Sequence, residues 1–142
     1  MELPTFKFAI QSGLDDTFLP TKATAKNTGW DVRCAEPNGV ILIPGQYAKI
    51  SLGFQIFSPE GWWLELRPRS SSFIKKNLHA LYGVIDEEFP HLAMFCCQYC
   101  PEGQYSTPLV IEYGERIGQL IPVKRQEVNN PVYALHRRGL KE

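Results

Sequence analysis

Hydrophobic positions along the chain come in short runs, and the residues between the runs are turn formers. Phe6 to Gln11, Val40 to Ile43, Tyr47 to Phe57 and Trp62 to Arg67 carry the β-branched and aromatic residues of strands. Pro37-Asn38-Gly39, Pro44-Gly45 and Ser58-Pro59-Glu60-Gly61 punctuate them. The second half continues with Leu81 to Ile85, Leu92 to Tyr99, Leu109 to Tyr113, Ile117 to Pro122 and Val132 to Leu135. This spacing predicts an all-β sandwich or barrel of short strands with Pro/Gly corners. One helical turn is expected at Ser71 to Asn77, with serines as caps and Lys75 and Lys76 near its end. No repeat or linker divides the pattern, so residues 1–142 read as a single domain.

Composition narrows the function classes. The 142 residues hold 15 Lys+Arg and 15 Asp+Glu, a formal net charge of zero. That balance argues against the broad basic footprint of stable nucleic-acid binding and against a polybasic membrane anchor. An anionic ligand must therefore meet a local basic site. No apolar run approaches the ~20 residues of a membrane span, and Met1-Glu2-Leu3-Pro4 lacks the start of a secretory signal. Cys96, Cys97 and Cys100 crowd one segment, with Cys34 far away. A tetrahedral metal site takes separated ligand pairs, and neighbouring strand residues face opposite ways, so these read as buried thiols in a strand. Reduced cysteines suit an intracellular protein, cytoplasmic or nuclear.

Four segments, read as turns, hold the candidate chemistry. Arg69-Ser70-Ser71-Ser72 offers a guanidinium fork beside hydroxyls and a helix start, which are phosphate-binding parts, although locally a capped helix with a surface arginine is the preferred account of them. Asp86, ahead of Glu87 and Glu88, is a general-base candidate or one of three acidic turn residues. Gln119 lies in an apolar strand, where its amide must find partners or face a groove. Asp31, after Gly29-Trp30, is a turn carboxylate or an outer contact of a metal.

The order and spacing of these elements resemble the trimeric dUTPase family. Gly29-Trp30-Asp31-Val32 resembles its Gly-Tyr-Asp-Leu element, and Pro68-Arg69-Ser70 its phosphate loop. Gly83-Val84-Ile85-Asp86 follows at the family's interval, and Gly114-Glu115-Arg116-Ile117-Gly118-Gln119-Leu120-Ile121 resembles Gly-Asp-Arg-Ile-Ala-Gln-Leu-Ile. The resemblance implies a jelly-roll or β-clip barrel assembling as a homotrimer, and hydrolysis of dUTP to dUMP and pyrophosphate by water attack at the α-phosphate with Mg²⁺ on the triphosphate. It implies that Asp86 activates the water and meets the sugar 3'-hydroxyl, carboxylates being ionised at neutral pH. Arg69, Ser70, Gln119 and Arg138 would hold phosphate oxygens. A β-hairpin around Ala80 to Gly83 would present backbone groups to uracil, with Phe89 as the aromatic gate under the deoxyribose. Asp31 would support the hydrated Mg²⁺ through water. Each site would draw on neighbouring subunits, with the Val84-Ile85 and Leu120-Ile121 strands contributing to contact.

Departures from the family pattern are also legible. Phe89 replaces the usual tyrosine, and as a ring at a strand end it also reads as a core residue. Pro90-His91 replaces Arg-Gly, Ser71 replaces a glycine, and Tyr82 is bulkier than usual. Pro101 to Pro108 reads as an inserted surface hairpin. Residues 136–142, ending Arg138-Gly139-Leu140-Lys141-Glu142, form a short tail without most of the family's Gly-rich arm. A dUTPase-like trimer that binds nucleotide or protein with little catalysis is therefore the alternative. A dCTP deaminase is disfavoured, because the strand after the Asp86 segment carries Cys96 and Cys97 where that chemistry needs a glutamate. Trp62-Trp63 reads as a pair of strand aromatics rather than a base-stacking platform.

Overall fold

A computed structural model describes residues 2–81, 83–103 and 105–134. Ten strands are present among them: β1 (Lys7–Ile10), β2 (Trp30–Arg33), β3 (Val40–Leu42), β4 (Tyr47–Phe57), β5 (Trp62–Pro68), β6 (Leu78–Ala80), β7 (Gly83–Ile85), β8 (Leu92–Tyr99), β9 (Leu109–Ile111) and β10 (Arg116–Lys124). A 3₁₀ turn (Asp16–Phe18) and one helix, α1 (Ser70–Lys76), complete the fold. The strands form two four-stranded sheets, ordered β1-β4-β8-β6 and β2-β10-β5-β7, and a β3-β9 pair. All pairings are antiparallel.

Alternation along the long strands explains the layering. Ile50, Leu52, Phe54 and Ile56 of β4, and Ala93, Phe95, Cys97 and Tyr99 of β8, point inward at every second residue. Leu64 and Leu66 of β5 and Ile117 and Leu120 of β10 meet them from the second sheet. Each fully buried side chain of this size contributes roughly 1.5–3 kcal/mol. Gly118 permits the close approach of the sheets, since a Cβ there would lie 3.0 Å from the Arg67 carbonyl and 3.1 Å from the Phe95 ring. All four cysteines are unpaired, Cys34 and Cys97 buried and Cys96 and Cys100 half-buried. Burial pushes the Cys97 thiol up to about 11.

Several local expectations are corrected. The segment around Asp31 is not a turn but strand β2, tied at its start by the Thr21–Asp31 bridge. Leu81 to Ile85 is not one strand: β6 pairs β8 in one sheet, β7 pairs β5 in the other, and the chain crosses between sheets from Ala80 to Gly83. No serine caps α1; Arg69 is its N-cap, in an extended conformation without a side-chain cap bond. Ser72 is instead buried, donating its hydroxyl to the Ile117 carbonyl at 3.4 Å. The described residues 101–103 and 105–108 carry no strand, and the strands on either side pair elsewhere, β8 with β4 and β6 and β9 with β3, in place of the expected hairpin. Residues 132–134 carry no strand. Ile85 and Leu120, expected at a subunit contact, belong to the core, while Val84 is exposed. Tyr82, Arg138 and the tail 136–142 lie outside the described residues.

Candidate active site

Strand β5 carries one cleft at each end. At its C-terminal end, Pro68, Arg69, Ser70, Phe73 and Gln119 line a cleft of about 450 Å³. The β10 register sets this geometry, placing Gln119 opposite Arg67 on one side and opposite Asp31 on the other. Gln119 donates its amide to the Pro68 carbonyl, and Arg69 its guanidinium to the Arg116 carbonyl, each at 3.4 Å. Both bonds are long, so both donors are available to a stronger acceptor at small cost. Arg69 and Ser70 join Gln119 here because β5 runs directly into α1 beside the start of β10.

Asp31 sits on β2 opposite Gln119, outside the cleft lining, and its Oδ2 accepts from Arg116 Nη1 at 3.3 Å. Arg116 was not singled out as a functional side chain in the sequence; its partner is 85 residues away, beyond any local signal. Among the described residues no three His, Cys, Asp or Glu side chains gather to hold a metal. One carboxylate, already shared with Arg116, is a donor set for a water-mediated contact with a cation that other ligands carry, and not for a cage.

At the other end of β5, Trp63, Asp86, Glu87, Glu88 and Arg125 line a cleft of about 410 Å³. Asp86 is exposed at the end of β7, which pairs Ile85 with Leu64. Glu87 accepts from the Gly61 backbone N–H at 2.8 Å and from Arg125 Nη1 at 2.7 Å. These bonds, led by Gly61, hold its carboxyl below the usual glutamate value. Sequence reading passed over this cluster, since Glu87 looks like any acidic turn residue and Arg125 is distant along the chain.

The predicted residues therefore fall into two groups. Arg69, Ser70, Gln119 and Asp31 come together, and Asp86 stands apart from them. Six residue steps from Trp63 along β5 lead to Arg69, about 20 Å of extended chain. Ala80 and Gly83 also part company, Ala80 facing Cys97 on β8 and Gly83 facing Leu66 on β5. Ala80 lines a third groove, mainly apolar, on the outer face of the first sheet with Tyr47, Leu81 and Cys96. Phe89 is half-buried against the core, in edge contact with His91 at 5.4 Å. Trp62 meets Phe6 edge-on at 6.4 Å.

Two β-sheets, with Arg69 leading into the serine-rich start of α1 at one end of β5 and an acidic turn at the other, make an all-β chain whose fold is that of dUTPases. The dUTPase of Streptococcus mutans superposes with a TM-score of 0.75 at 23% identity, over 87% of this chain and 98% of that one. The dUTPase of phage phi11 of S. aureus gives 0.79 at 18% identity, over 91% and 96%. No family model matches the chain. Among curated relatives, the deoxyuridine 5'-triphosphate nucleotidohydrolase of Aquifex aeolicus is 34% identical over 117 residues, 80% of this chain and 75% of the relative. That of a Hydrogenobaculum species is 30% identical over 126 residues, 86% and 84%. The chain belongs to the dUTPase (deoxyuridine 5'-triphosphate nucleotidohydrolase) family.

Proposed function

We propose that the protein hydrolyses dUTP to dUMP and pyrophosphate, with water attacking the α-phosphorus. The observation that carries this reading is the convergence of Arg69, Ser70 and Gln119 on one cleft in a chain of this family. The Arg69 guanidinium supplies a planar pair of donors to phosphate oxygens, and the Ser70 hydroxyl and Gln119 amide add neutral donors. Charge growing on the phosphates is met by groups already in place. Asp86 orients the attacking water and accepts its proton, and its exposure leaves the carboxylate open to substrate. Phe89, three residues after Asp86 and half-buried, is the ring nearest in sequence to that general base and would lie beneath the sugar.

The separation of about 20 Å between the clefts supports sites shared between copies of the chain in a homotrimer, the phosphate loop from one and Asp86 from another. Asp31 would hold Mg²⁺ through water, and the ion, carried on the triphosphate, would supply neutralisation of phosphate charge. A variant of the phage phi11 enzyme coordinates a structural Mg(II) ion. Unpaired cysteines favour the cytoplasm, and no described feature favours the nucleus. Among the described residues no helix is long and apolar enough to cross a membrane.

The test is product analysis of the purified protein with Mg²⁺ and each of dUTP, dCTP, dTTP and UTP, following pyrophosphate and ammonia separately. Pyrophosphate from dUTP alone is expected. No product from any nucleotide would leave a binding protein, and ammonia from dCTP would assign deamination.

A further inference from the structure

We propose that Glu87 and Arg125 form a latch that positions Asp86, so that the catalytic carboxylate is placed by an ion pair lying outside the reacting atoms. The inference deepens the proposed function and rests on Asp86 acting there as the base. Among the described residues no donor reaches the Asp86 carboxylate, so its place is set by its backbone. That backbone is a tight turn, closed by the Phe89 N–H donating to the Asp86 carbonyl at 3.1 Å. Glu87 is the next residue in this turn, and its Oε1 accepts from both Gly61 N–H and Arg125 Nη1. The Arg125 backbone N–H returns to the Gly61 carbonyl at 2.8 Å. Three segments distant in sequence thus meet at one carboxylate: the turn before β5, the Asp86 turn and the chain after β10.

Arg125 is 49% exposed and also lies 3.9 Å from Glu127, so what ties Glu87 down is the backbone donor of Gly61 together with the ion pair. The Glu87 side chain is 24% exposed and holds two donors on one oxygen, and bonds to an ionised acceptor are about twice as strong as neutral ones. Trp63 lines the same cleft, so the latch and Asp86 share one wall. A reacting group displaced by about 1 Å loses on the order of a hundredfold in rate. Glu87 is accordingly a positioning residue, with its occupied oxygen turned to Gly61 and Arg125.

The experiment compares wild type, Glu87→Ala, Glu87→Gln, Arg125→Ala and Arg125→Lys. It measures kcat and KM for dUTP with Mg²⁺, and hydrogen exchange at the Phe89 amide without nucleotide. Glu87→Ala and Arg125→Ala are expected to lower kcat about ten- to hundredfold with KM changed less than about threefold, and to speed Phe89 exchange. Arg125→Lys, which keeps the charge, is expected to recover most of kcat. A purely structural pair would lower the melting temperature and leave kcat unmoved. Unchanged kcat in either alanine variant, or a fall in kcat without faster Phe89 exchange, overturns the latch. Glu87→Gln retains an acceptor for Gly61, so if Glu87→Ala does not fold, a kcat for Glu87→Gln equal to wild type overturns it and a partial loss supports it. Wild-type protein that releases no pyrophosphate defeats the hydrolysis reading instead, and the exchange comparison then decides the latch alone.

Discussion

Gly29 and Gln119 are in contact so close that no side chain fits between them: a Cβ at residue 29 would stand 2.9 Å from Gln119 Oε1 and 3.0 Å from the Leu120 carbonyl oxygen. The Gln119 amide is able to swing aside, but the Leu120 carbonyl is fixed in the β2–β10 ladder. Gly29→Ala must therefore push β2 from β10 or turn Gln119 out of the cleft it shares with Arg69 and Ser70. The expected result is a stability loss of about 1–3 kcal/mol by denaturant titration, with weaker nucleotide binding. Full stability together with unchanged dUTP affinity would show that the cleft does not depend on this contact.

Asp31 answers to two masters, and its variants separate them. The pair with Arg116 is partly exposed, with side chains 24% and 43% accessible, so it contributes less than about 1 kcal/mol. Asp31→Ala is expected to leave the melting temperature nearly unchanged while raising the Mg²⁺ concentration that gives half-maximal pyrophosphate release. An unaltered Mg²⁺ dependence would reduce Asp31 to the ion pair.

Much of this was legible in the sequence wherever the signal was local. The alternation in Tyr47 to Phe57 and Leu92 to Tyr99 matches β4 and β8 to the residue, because each strand buries one face and the period of two is undiluted. β2 was hidden, because a four-residue strand beginning after Thr28-Gly29 looks like turn chemistry and its strand character comes from pairing with β10. The break between β6 and β7 was hidden for a related reason: Leu78 to Ile85 is apolar throughout most of its length, and only sheet topology shows that it serves two sheets. The segment Pro68-Arg69-Ser70, proposed to meet phosphate, stood out because its residues are consecutive. The Asp31–Arg116 and Glu87–Arg125 pairs are long-range relationships that no spacing rule reports.

Acid should loosen the Asp86 turn before it unfolds the molecule. Glu87 has its carboxyl held below the ordinary value of 4.5, by the Gly61 N–H first and by Arg125 next. A depressed value in the folded state means stabilisation that is complete above 4.5 and is lost as pH falls through the folded value. The melting-temperature gap between wild type and Glu87→Gln is therefore expected to be widest near neutrality and to close below pH 4.5. A gap independent of pH would show that the charge of Glu87 is not what stabilises the turn.

Thiol chemistry offers a check on the core. Cys97 is buried on β8 and its thiol is raised to about 11, first by burial and then by Cys96 and Cys34. At pH 8 only about one molecule in a thousand holds it as thiolate, the reactive form. Alkylation of the native protein, read by peptide mass, should spare Cys97 and the buried Cys34 until denaturant is added. Rapid native labelling of Cys97 would mean that the two sheets open readily.

The separation of Asp86 from Arg69 makes its own prediction about assembly. Asp86→Asn removes the base and is expected to lower kcat by about 10²–10⁴ while leaving nucleotide binding nearly intact. Arg69→Ala removes a charge-assisted phosphate contact and is expected to weaken dUTP binding by roughly 1.5–3 kcal/mol. If one site takes the phosphate loop and Asp86 from different copies, the two damaged chains complement each other. Random mixing in a trimer would then give about one site in four with both elements intact, so a co-refolded equal mixture should regain about a quarter of wild-type activity under subsaturating dUTP. Recovery no greater than the average of the two variants would place both elements of each site on a single chain, and the two clefts at opposite ends of β5 would then have to be brought together by movement within that chain.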